Sequence, residues 1–357
     1  MTCVPVAVPG KRYDVWIGPR ARFELRALLA PAGGGRVVVI TDDVVAALHL
    51  QSLLEVLPGN ALSIRVPPGE QSKSIARLAK LYDQLAAFRI ERSDVLLSLG
   101  GGVVGDLTGF AAATWLRGVP YIQVPTTTEA AVDASVGGKT GVNLPAGKNL
   151  VGAFHQPLGV IIDSEFLATL PARDFSAGLA ESIKHAAIRD PDLLTFHEKN
   201  AARIVAREPA VIEPLLARNV AIKAAVVAAD EREADLRAIL NHGHTLGHAF
   251  EHLLGYELRH GECVALGMIA ENAMAQARGL LSPGSAERIR DALAALQLPT
   301  RLPRPLDPAA VIDACRMDKK NRGGAIHFML LREIGAVQRV TDATDAEIAA
   351  ALVALAP

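Results

Sequence analysis

Three histidines and a glutamate have the types and spacing that a metal site requires. His244 and His248 are four residues apart in a predicted helix and so share one face of it, and His260 begins the next predicted helix. Glu181 and Lys184 are three residues apart on another predicted helix. A carboxylate and two imidazoles from separate helices, with one position left open, form the ligand set of a catalytic zinc-type site. The pattern predicts such a site, in which one of His244 and His248 binds the metal and the other acts beside it.

The alternative is that these histidines are surface or capping residues, which is the usual role of a lone histidine. Five of the ten histidines lie between positions 242 and 260. Ordinary helix packing does not require that density, so the cluster favours the metal site. Two members stay open to a structural role: His252, which is one helical turn beyond His248, and His242.

A glycine-rich turn is the second feature that points to a ligand. Gly100-x-Gly102-x-x-Gly105 follows a predicted buried strand and opens a helix. Such a turn lets the backbone approach a pyrophosphate while the helix-terminal N–H groups face its charge. The ordinary Rossmann order would place an acidic residue about 20 positions later, at the end of a second strand, but residues 121–128 contain no acid. We therefore expect a nucleotide site without the ordinary Rossmann order; a tight turn with no ligand is the alternative.

The bulk composition favours small-molecule chemistry. The net charge of -1 gives no general attraction to nucleic acid or to acidic membranes, and no stretch approaches the roughly 18 apolar residues of a membrane span. Cys3, Cys263 and Cys315 form no C-x-x-C pair and fit reduced thiols. The N-terminus lacks the basic start and apolar core of a signal peptide. We expect a cytoplasmic protein whose partners are neither nucleic acid nor membrane.

The length of 357 residues exceeds the usual limit of one hydrophobic core, so we expect two domains. Over residues 1–170, short β-rich runs alternate with helical patterns, which is typical of βαβ units around a largely parallel, Rossmann-like sheet. Over residues 171–357, apolar spacing of three and four predicts a mainly α-helical domain. The predicted strands are 37–40, 95–99, 121–124, 160–163, 326–331 and 336–340, and the predicted helices include 74–88, 174–188, 209–229, 243–254, 262–279 and 284–296.

Short motifs spread over nearly the whole chain carry a family resemblance. They lie at 69–73, 100–110, 117–119, 125–127, 133–143, 147–150, 181–184, 241–248, 260–262 and 318–320. Each is modest evidence alone, but their order and spacing together are highly specific. The chain resembles the 3-dehydroquinate synthases, a family of sugar phosphate cyclases.

The resemblance implies an activity and its cofactors. The implied reaction converts 3-deoxy-D-arabino-heptulosonate 7-phosphate to 3-dehydroquinate and phosphate in the shikimate pathway. NAD is reduced and reoxidised within one turnover, and a divalent metal, zinc or cobalt, holds neighbouring substrate hydroxyls. The resemblance also implies a homodimer, in which Arg117 is a candidate to serve the site of the neighbouring subunit.

The resemblance also carries residue roles onto this sequence. It assigns the metal to Glu181, His244 and His260, and it makes Glu233 and His248 proton acceptors. The positions that match NAD contacts are Asp42, Glu70, Lys73, Gly101, Gly102, Val103, Asp106, Thr126, Thr127, Lys148 and Thr169. The positions that match substrate contacts are Arg117, Asp133, Lys139, Asn149, Lys184, Lys223, Arg237, Asn241, His248 and one lysine of Lys319 and Lys320.

Two groups within that set have a predicted chemical task. Lys139, Lys148 and Asn149 are expected on a glycine-flanked loop that cradles phosphate. The planar guanidinium of Arg237 suits the substrate carboxylate. A simpler role stays open for Arg237, because Glu233 lies four residues before it and the two could pair.

The departures from the family pattern concern substrate choice. Thr128 and Glu129 stand where the family usually has two leucines, and His242 replaces a usual aromatic residue. Aminodehydroquinate synthase is the nearest alternative, followed by other sugar phosphate cyclases, although the retained Lys184 and Asp106 favour 3-dehydroquinate synthase. A metal-dependent polyol dehydrogenase would have no phosphate for the lysines to bind. A catalytically inactive NAD-binding or assembly protein would need losses at the metal or lysine positions, and the sequence has none.

Overall fold

The computed structural model describes residues 1–30, 35–317 and 326–357, and it divides into two compact units. The first unit comprises Met1–Pro171 and Ile212–Arg232, and the second comprises Ala172–Val211 and Glu233–Pro357. The segment Ile212–Arg232, which the sequence boundary assigns to the second domain, groups with the first unit. Its Lys223 Nζ donates to the carbonyl of Asp133 at 2.6 Å, and its Glu231 accepts from the amide of Gln156 at 2.9 Å.

The first unit is built on a seven-stranded sheet with a separate hairpin. Its strands are β1 (Thr2–Val8), β2 (Lys11–Gly18), β3 (Val37–Asp42), β4 (Leu62–Val66), β5 (Val95–Gly100), β6 (Tyr121–Pro125), the hairpin strands β7 (Lys139–Leu144) and β8 (Gly147–Phe154), and β9 (Gly159–Asp163). Its helices are α1 (Leu25–Leu29), α2 (Asp43–Val45), α3 (Gln51–Leu54), α4 (Ile75–Ala87) and α5 (Gly102–Thr114). Shorter 3-10 or π turns at Ala21–Glu24, Ala46–Leu50, Glu70–Ser72, Trp115–Arg117, Ala130–Ala134 and Ser164–Thr169 complete it, together with most of the helix Pro209–Ala229.

The strand order determines where a ligand can bind. The order is β1-β2-β9-β6-β5-β3-β4, and every neighbouring pair is parallel except β1 with β2. The strands β3, β4, β5, β6 and β9 therefore have the 2-1-3-4-5 order of a flavodoxin-like, doubly wound sheet. The prediction that the ordinary Rossmann order is not followed is confirmed. In such sheets ligands bind outside the carboxyl ends of the strands where the winding reverses, which here is between β3 and β5.

Burial on both faces explains the uninterrupted apolar strands. In β3, Val37 and Val39 belong to one buried cluster and Val38 and Ile40 to another, because successive side chains point to opposite faces. Helices α4 and α5 contribute to the second of these clusters. Both faces of the strand are therefore apolar, which is why the sequence shows a continuous run instead of alternation.

The phosphate-cradle segment is a hairpin, so its prediction as a loop is wrong. Lys139 pairs with Phe154 and Val142 with Val151 in an antiparallel ladder. Within β7, Thr140 and Val142 are buried while Lys139 is exposed. Gly141 between them is buried as well, so burial does not alternate along β7, and its glycine further weakens the sequence signal because glycine is depleted from strands in general.

The second unit is mainly helical, as predicted. Its helices are α6 (Ala172–Arg189), α7 (Pro191–Val205), the start of α8 (Pro209–Ala229), α9 (His244–Leu253), α10 (His260–Ala277), α11 (Pro283–Ala295), α12 (Pro308–Arg316) and α13 (Asp345–Leu352), with a 3-10 turn at Leu236–Asn241. Both predicted late strands are present, as β10 (Phe328–Glu333) and β11 (Ala336–Val340), and they pair antiparallel. Helix α7 was not predicted; Asp190 caps it by accepting from the Leu193 N–H at 3.1 Å, and Pro191 takes the first helical position, where no hydrogen bond is lost.

Among the helices of the described residues, none combines the length and the apolar character that a membrane crossing would need.

A surface ion pair in the second unit should make stability depend on acid pH. Arg278 holds Glu347 through two hydrogen bonds of 2.6 and 2.9 Å, which lowers the pKa of Glu347 from 4.5 to about 2. Because the folded-state pKa is the lower one, the stabilisation is present above about pH 4.5 and is lost as the pH falls towards 2. Glu347→Gln should lower the free energy of unfolding by at most about 1 kcal/mol at neutral pH, since the pair is partly exposed. The free energies of unfolding of the wild type and Glu347→Gln, measured in urea, should become equal as the pH falls towards 2. A difference that does not change with pH would contradict the assignment.

Candidate functional site

Three helices of the second unit bring together the predicted metal ligands. Glu181 lies within α6, and His244 and His260 are the first residues of α9 and α10. Glycines allow these helices to approach closely: a Cβ atom on Gly261 would lie 1.9 Å from the carbonyl oxygen of Ala177 in α6, and one on Gly267 would lie 1.9 Å from that of Gly243. Any larger residue at either position would push the ligand-bearing helices apart.

The ligand atoms have the separations of a coordination polyhedron. Glu181 Oε1 lies 3.4 Å from His244 Nε2 and 3.6 Å from His260 Nε2. These distances are long for hydrogen bonds. A tetrahedral zinc ion with bonds of 2.0–2.2 Å has neighbouring ligand atoms about 3.4 Å apart. The carboxylate and the two imidazoles therefore fit a divalent metal, with Glu181 almost completely buried at their centre.

The outer nitrogen of each imidazole faces an oxygen atom. His244 Nδ1 lies 3.2 Å from the carbonyl oxygen of His242, and His260 Nδ1 lies 3.6 Å from Glu251 Oε2. A carbonyl oxygen only accepts, so Nδ1 of His244 can donate to it, which leaves Nε2, on the side of Glu181, available to a metal. Metal-binding histidines usually show this arrangement. Glu251 was not predicted, although its position three residues after His248 places it on the same side of α9.

A buried lysine neutralises the carboxylate. Burial raises the pKa of Glu181, but Lys184, His244 and His260 outweigh that effect and hold the pKa well below its usual range. Lys184 Nζ forms an ion pair with Glu181 Oε2, and both side chains are 1% exposed. The carboxylate is therefore ionised and ready to bind a cation, while the ammonium adds a fixed positive charge beside it.

His248 lies against the same cluster. One ligand atom from each of His244, His248 and His260 falls within 4.8 Å of the others, and the three rings are 5.4 to 5.7 Å apart. His248 can thus ligate a metal or act beside it, and its predicted role as a proton acceptor stays a prediction.

The remaining predicted substrate residues of the second unit lie at or near its 3-10 turn Leu236–Asn241. Arg237 is 1% exposed. Asn241 donates from Nδ2 to Glu233 Oε1 at 3.3 Å. The turn thus places a fully buried guanidinium in the same unit as the predicted metal ligands.

In the first unit, the predicted NAD residues gather at the carboxyl edge of the sheet. Asp42 ends β3, Gly101 follows β5, and the others occupy the turns after β4, β6 and β9 or the start of α5. Those others are Glu70, Lys73, Gly102, Val103, Asp106, Thr126, Thr127 and Thr169. This edge includes the reversal point between β3 and β5, where a doubly wound sheet binds its ligand.

The glycine turn leaves backbone donors exposed to a ligand. Gly101 occupies the cap position of the 13-residue helix α5, and no side chain caps the helix. A Cβ atom on Gly101 would lie 2.9 Å from Thr127 Cγ2, so a larger residue would narrow the space through which a ligand reaches these backbone donors. Lys73, which is 6% exposed, forms an ion pair with Asp106 on this helix. Burial raises the pKa of Asp106, and Lys73 opposes the rise.

The hairpin is joined to the turn that follows β4. Asn143 donates from Nδ2 to Glu70 Oε1 at 2.7 Å, and its Oδ1 accepts from the Asn149 N–H at 2.9 Å. The Asn143 N–H also donates to the Lys73 carbonyl at 2.8 Å. Asn143 therefore fixes β8, which carries Lys148 and Asn149, against the predicted NAD residues. Sequence reasoning gave Asn143 no role, since an asparagine in a strand has no distinctive spacing.

The other predicted residues fall into three groups. Asp133, in the π turn Ala130–Ala134, forms an ion pair with Lys223 of α8. Arg117 is exposed and follows α5 just before β6, so it lies at the opposite edge of the sheet from the NAD residues. Lys319 and Lys320 lie outside the described residues.

Solved structures define the class of fold. A 2-epi-5-epi-valiolone synthase from Streptomyces hygroscopicus subsp. jinggangensis, with NAD+ and Zn2+ bound, matches with a TM-score of 0.89 and 33% identity over 98% of both chains. A 2-deoxy-scyllo-inosose synthase complexed with carbaglucose-6-phosphate, NAD+ and Co2+ matches with a TM-score of 0.87 and 26% identity over 94% of both chains. The chain has the fold of the sugar phosphate cyclases.

Sequence comparison narrows that class to one family. The family models for the 3-dehydroquinate synthase N-terminal and C-terminal regions match residues 63–177 and 178–321. A 3-dehydroquinate synthase of Symbiobacterium thermophilum is 46% identical over 326 residues, which cover 90% of this chain and 91% of that protein. The chain belongs to the 3-dehydroquinate synthase family.

Proposed function

We propose that this protein is an NAD- and metal-dependent lyase that converts 3-deoxy-D-arabino-heptulosonate 7-phosphate to 3-dehydroquinate and phosphate. The family match over both halves of the chain supports the reaction, and the observation that carries its chemistry is the Glu181–His244–His260 cluster with its buried carboxylate. The reaction has no net redox change, because the hydride taken from the substrate is returned to it. NAD, the metal and the substrate-binding side chains therefore each have a separate task within one turnover.

Zinc is the proposed metal, and cobalt is the alternative. Carboxylate and imidazole donors suit either ion. Bound there, the metal would supply Lewis-acid stabilisation to substrate hydroxyls and lower their pKa. Glu181, His244 and His260 would hold it, and each uses a single ligand atom, which leaves coordination positions for substrate.

Cationic side chains would bind the two anionic ends of the substrate. Lys139, Asn149 and Lys184 are assigned to the phosphate and its departing charge, which a fixed cationic cradle stabilises. Arg237 is assigned to the carboxylate, since its planar fork donates two parallel hydrogen bonds. Arg117 completes the phosphate site from a neighbouring subunit in the proposed homodimer, which agrees with its exposed position.

Proton transfer falls to residues beside the metal ligands. His248 lies within the imidazole cluster and Glu233 is hydrogen-bonded to Asn241, so each belongs to the same unit as the ligands. A histidine can exchange protons near neutral pH without a large change in its pKa. The cytoplasmic location of the protein and its dimeric state stay predictions.

Asp42 provides a test of the NAD site that separates binding from folding. Its Oδ1 caps the helix after β3 by accepting from the N–H groups of Val44 and Val45, both at 2.9 Å, so it has a structural task as well. Asp42→Ala should weaken NAD binding about tenfold by removing a charged hydrogen-bond acceptor and should cost roughly 1 kcal/mol of stability by removing the cap. Asp42→Asn should keep the cap and still weaken NAD binding, since an amide accepts less strongly from a ribose hydroxyl. NAD titration and urea unfolding measure the two effects; wild-type NAD affinity in both variants would contradict the assignment.

Substrate choice is tested by comparing three substrates. Phosphate release is measured with the heptulosonate phosphate, with its amino analogue and with glucose 6-phosphate, each with NAD and added metal. We expect release from the first alone. Release only from the amino analogue or from glucose 6-phosphate would identify the protein as a related sugar phosphate cyclase. Such a result would also assign Thr128 and Glu129 a role in substrate specificity.

A further inference from the structure

A second buried acid lies behind the metal ligand His244. Glu271, on α10, and His242, just before α9, are both 0% exposed and take no part in the proposed reaction. His242 Nδ1 lies 2.7 Å from the carbonyl oxygen of Met329 in β10 and 3.4 Å from Glu271 Oε2. Burying a carboxylate is costly unless hydrogen bonds compensate, so Glu271 requires a physical reason for its place.

The peptide group between His242 and Gly243 connects Glu271 to His244. The N–H of Gly243 donates to Glu271 Oε2 at 2.7 Å. The carbonyl oxygen of the same peptide, which belongs to His242, accepts from His244 Nδ1 at 3.2 Å. The carboxylate and the imidazole thus lie at opposite ends of a single peptide group.

The backbone at Gly243 holds that peptide in one orientation. Gly243 has a φ of +79°, in the left-handed region that favours glycine. A Cβ atom there would lie 2.5 Å from Met268 Cγ and 2.9 Å from the Val264 carbonyl oxygen of α10. The peptide is therefore fixed both by its conformation and by the close contact between α9 and α10.

We propose that Glu271 is a positioning residue that controls the metal affinity of His244 through the His242–Gly243 peptide. This inference rests on the metal site of the proposed function. A carboxylate at the peptide N–H polarises the carbonyl, because hydrogen bonds in a chain strengthen one another. Because the polarised carbonyl accepts more strongly, it holds the proton of His244 on Nδ1. The lone pair of Nε2 is then available to a metal, and the imidazole is a stronger ligand. The arrangement extends the usual carboxylate–histidine–metal triad by one peptide group.

The direct test is Glu271→Gln, which keeps the shape and a hydrogen-bond acceptor but removes the charge. Zinc affinity of the metal-free protein is measured by competition with a chromophoric chelator, together with the thermal unfolding of the same sample. We expect zinc binding to weaken by about tenfold, the lower end for such outer contacts, and the absorption bands of the cobalt form to shift. A folded Glu271→Gln protein with wild-type zinc affinity would overturn the proposal.

Asn272→Ala is the matched control. Asn272 is the next residue of α10 and is 2% exposed, and its side-chain amide has no hydrogen-bond partner among the described residues. The substitution perturbs the same buried helix without touching the peptide. Its zinc affinity should stay within about twofold of wild type, and a loss equal to that of Glu271→Gln would attribute both effects to packing and overturn the proposal.

A measurement on the unaltered protein covers the case in which Glu271→Gln does not fold. Long-range nitrogen–proton NMR spectra of the metal-free protein report which nitrogen of each imidazole is protonated. The Nδ1–H form is expected for His244, and the Nε2–H form would overturn the proposal. If the wild-type protein binds no zinc, the proposed function fails; if it binds zinc and Glu271→Gln binds it equally, only this inference fails.

Discussion

His244→Ala should remove bound metal and catalytic turnover together. The His244 imidazole supplies one of the two nitrogen atoms that lie near Glu181 Oε1. With alanine at this position, only the carboxylate and one predicted histidine ligand are left to bind the metal. Lewis-acid stabilisation is worth several kcal/mol, so kcat/KM should fall by roughly 10³-fold or more. Metal content after dialysis and phosphate release measure the two losses on the same sample.

The control for His244→Ala is His252→Ala. His252 lies on the same helix but is exposed, and it is no part of the ligand cluster. It should retain full metal content and activity. Full activity at normal metal occupancy in His244→Ala would refute the ligand assignment.

Lys184→Met should lower turnover strongly while metal is retained. The ammonium pairs with Glu181 in a fully buried position and is also assigned to the departing phosphate. Loss of one preorganised donor at a charged transition state typically costs 10²–10³-fold in kcat, and methionine preserves much of the side-chain volume. Because Lys184 is no ligand, the metal content should stay stoichiometric, in contrast to His244→Ala.

The control for Lys184→Met is Lys199→Met, which removes an exposed lysine from the neighbouring helix α7. Its kinetics should match the wild type. Unchanged kinetics in Lys184→Met would exclude a role for that ammonium in the reaction, whatever its effect on stability.

The elements that bear the site could be predicted because their signals are local. The buried strands β3 and β5 show as short apolar runs, and α9 and α10 show as helical apolar spacing beginning at His244 and His260. The change of pattern near residue 171 also marked the start of the helical region. The only sequence evidence against the ordinary Rossmann strand order was the absence of an acidic residue after β6.

Other parts of the fold lacked such signals. The edge strands β1 and β4 were not predicted: burial alternates along β4 but over only five residues, and β1 contains Pro5, a residue that is rare within strands. The β7–β8 hairpin contains glycines, which are depleted from strands, and burial does not alternate along β7. Helix α7 begins at a proline, which favours a break in the absence of the cap from Asp190.

The candidate site likewise has residues that the sequence could predict and others that it could not. The residue types and spacing predicted a metal site from Glu181, His260 and one of His244 and His248, and the family resemblance selected His244 as the ligand. Outer contacts such as Glu251 and the His242 carbonyl depend on helix packing, which sequence spacing does not encode. The burial of Glu271 against the Gly243 N–H likewise appears only when α9 and α10 are placed together.

The central claim is that NAD is recycled within a metal-dependent elimination of phosphate. The most direct measurement supplies the zinc-loaded protein with excess heptulosonate phosphate and a small, known amount of NAD, and follows phosphate and NADH together. Phosphate should exceed NAD many times over, without accumulation of NADH. Steady formation of NADH without phosphate release would contradict the account and indicate a simple dehydrogenase.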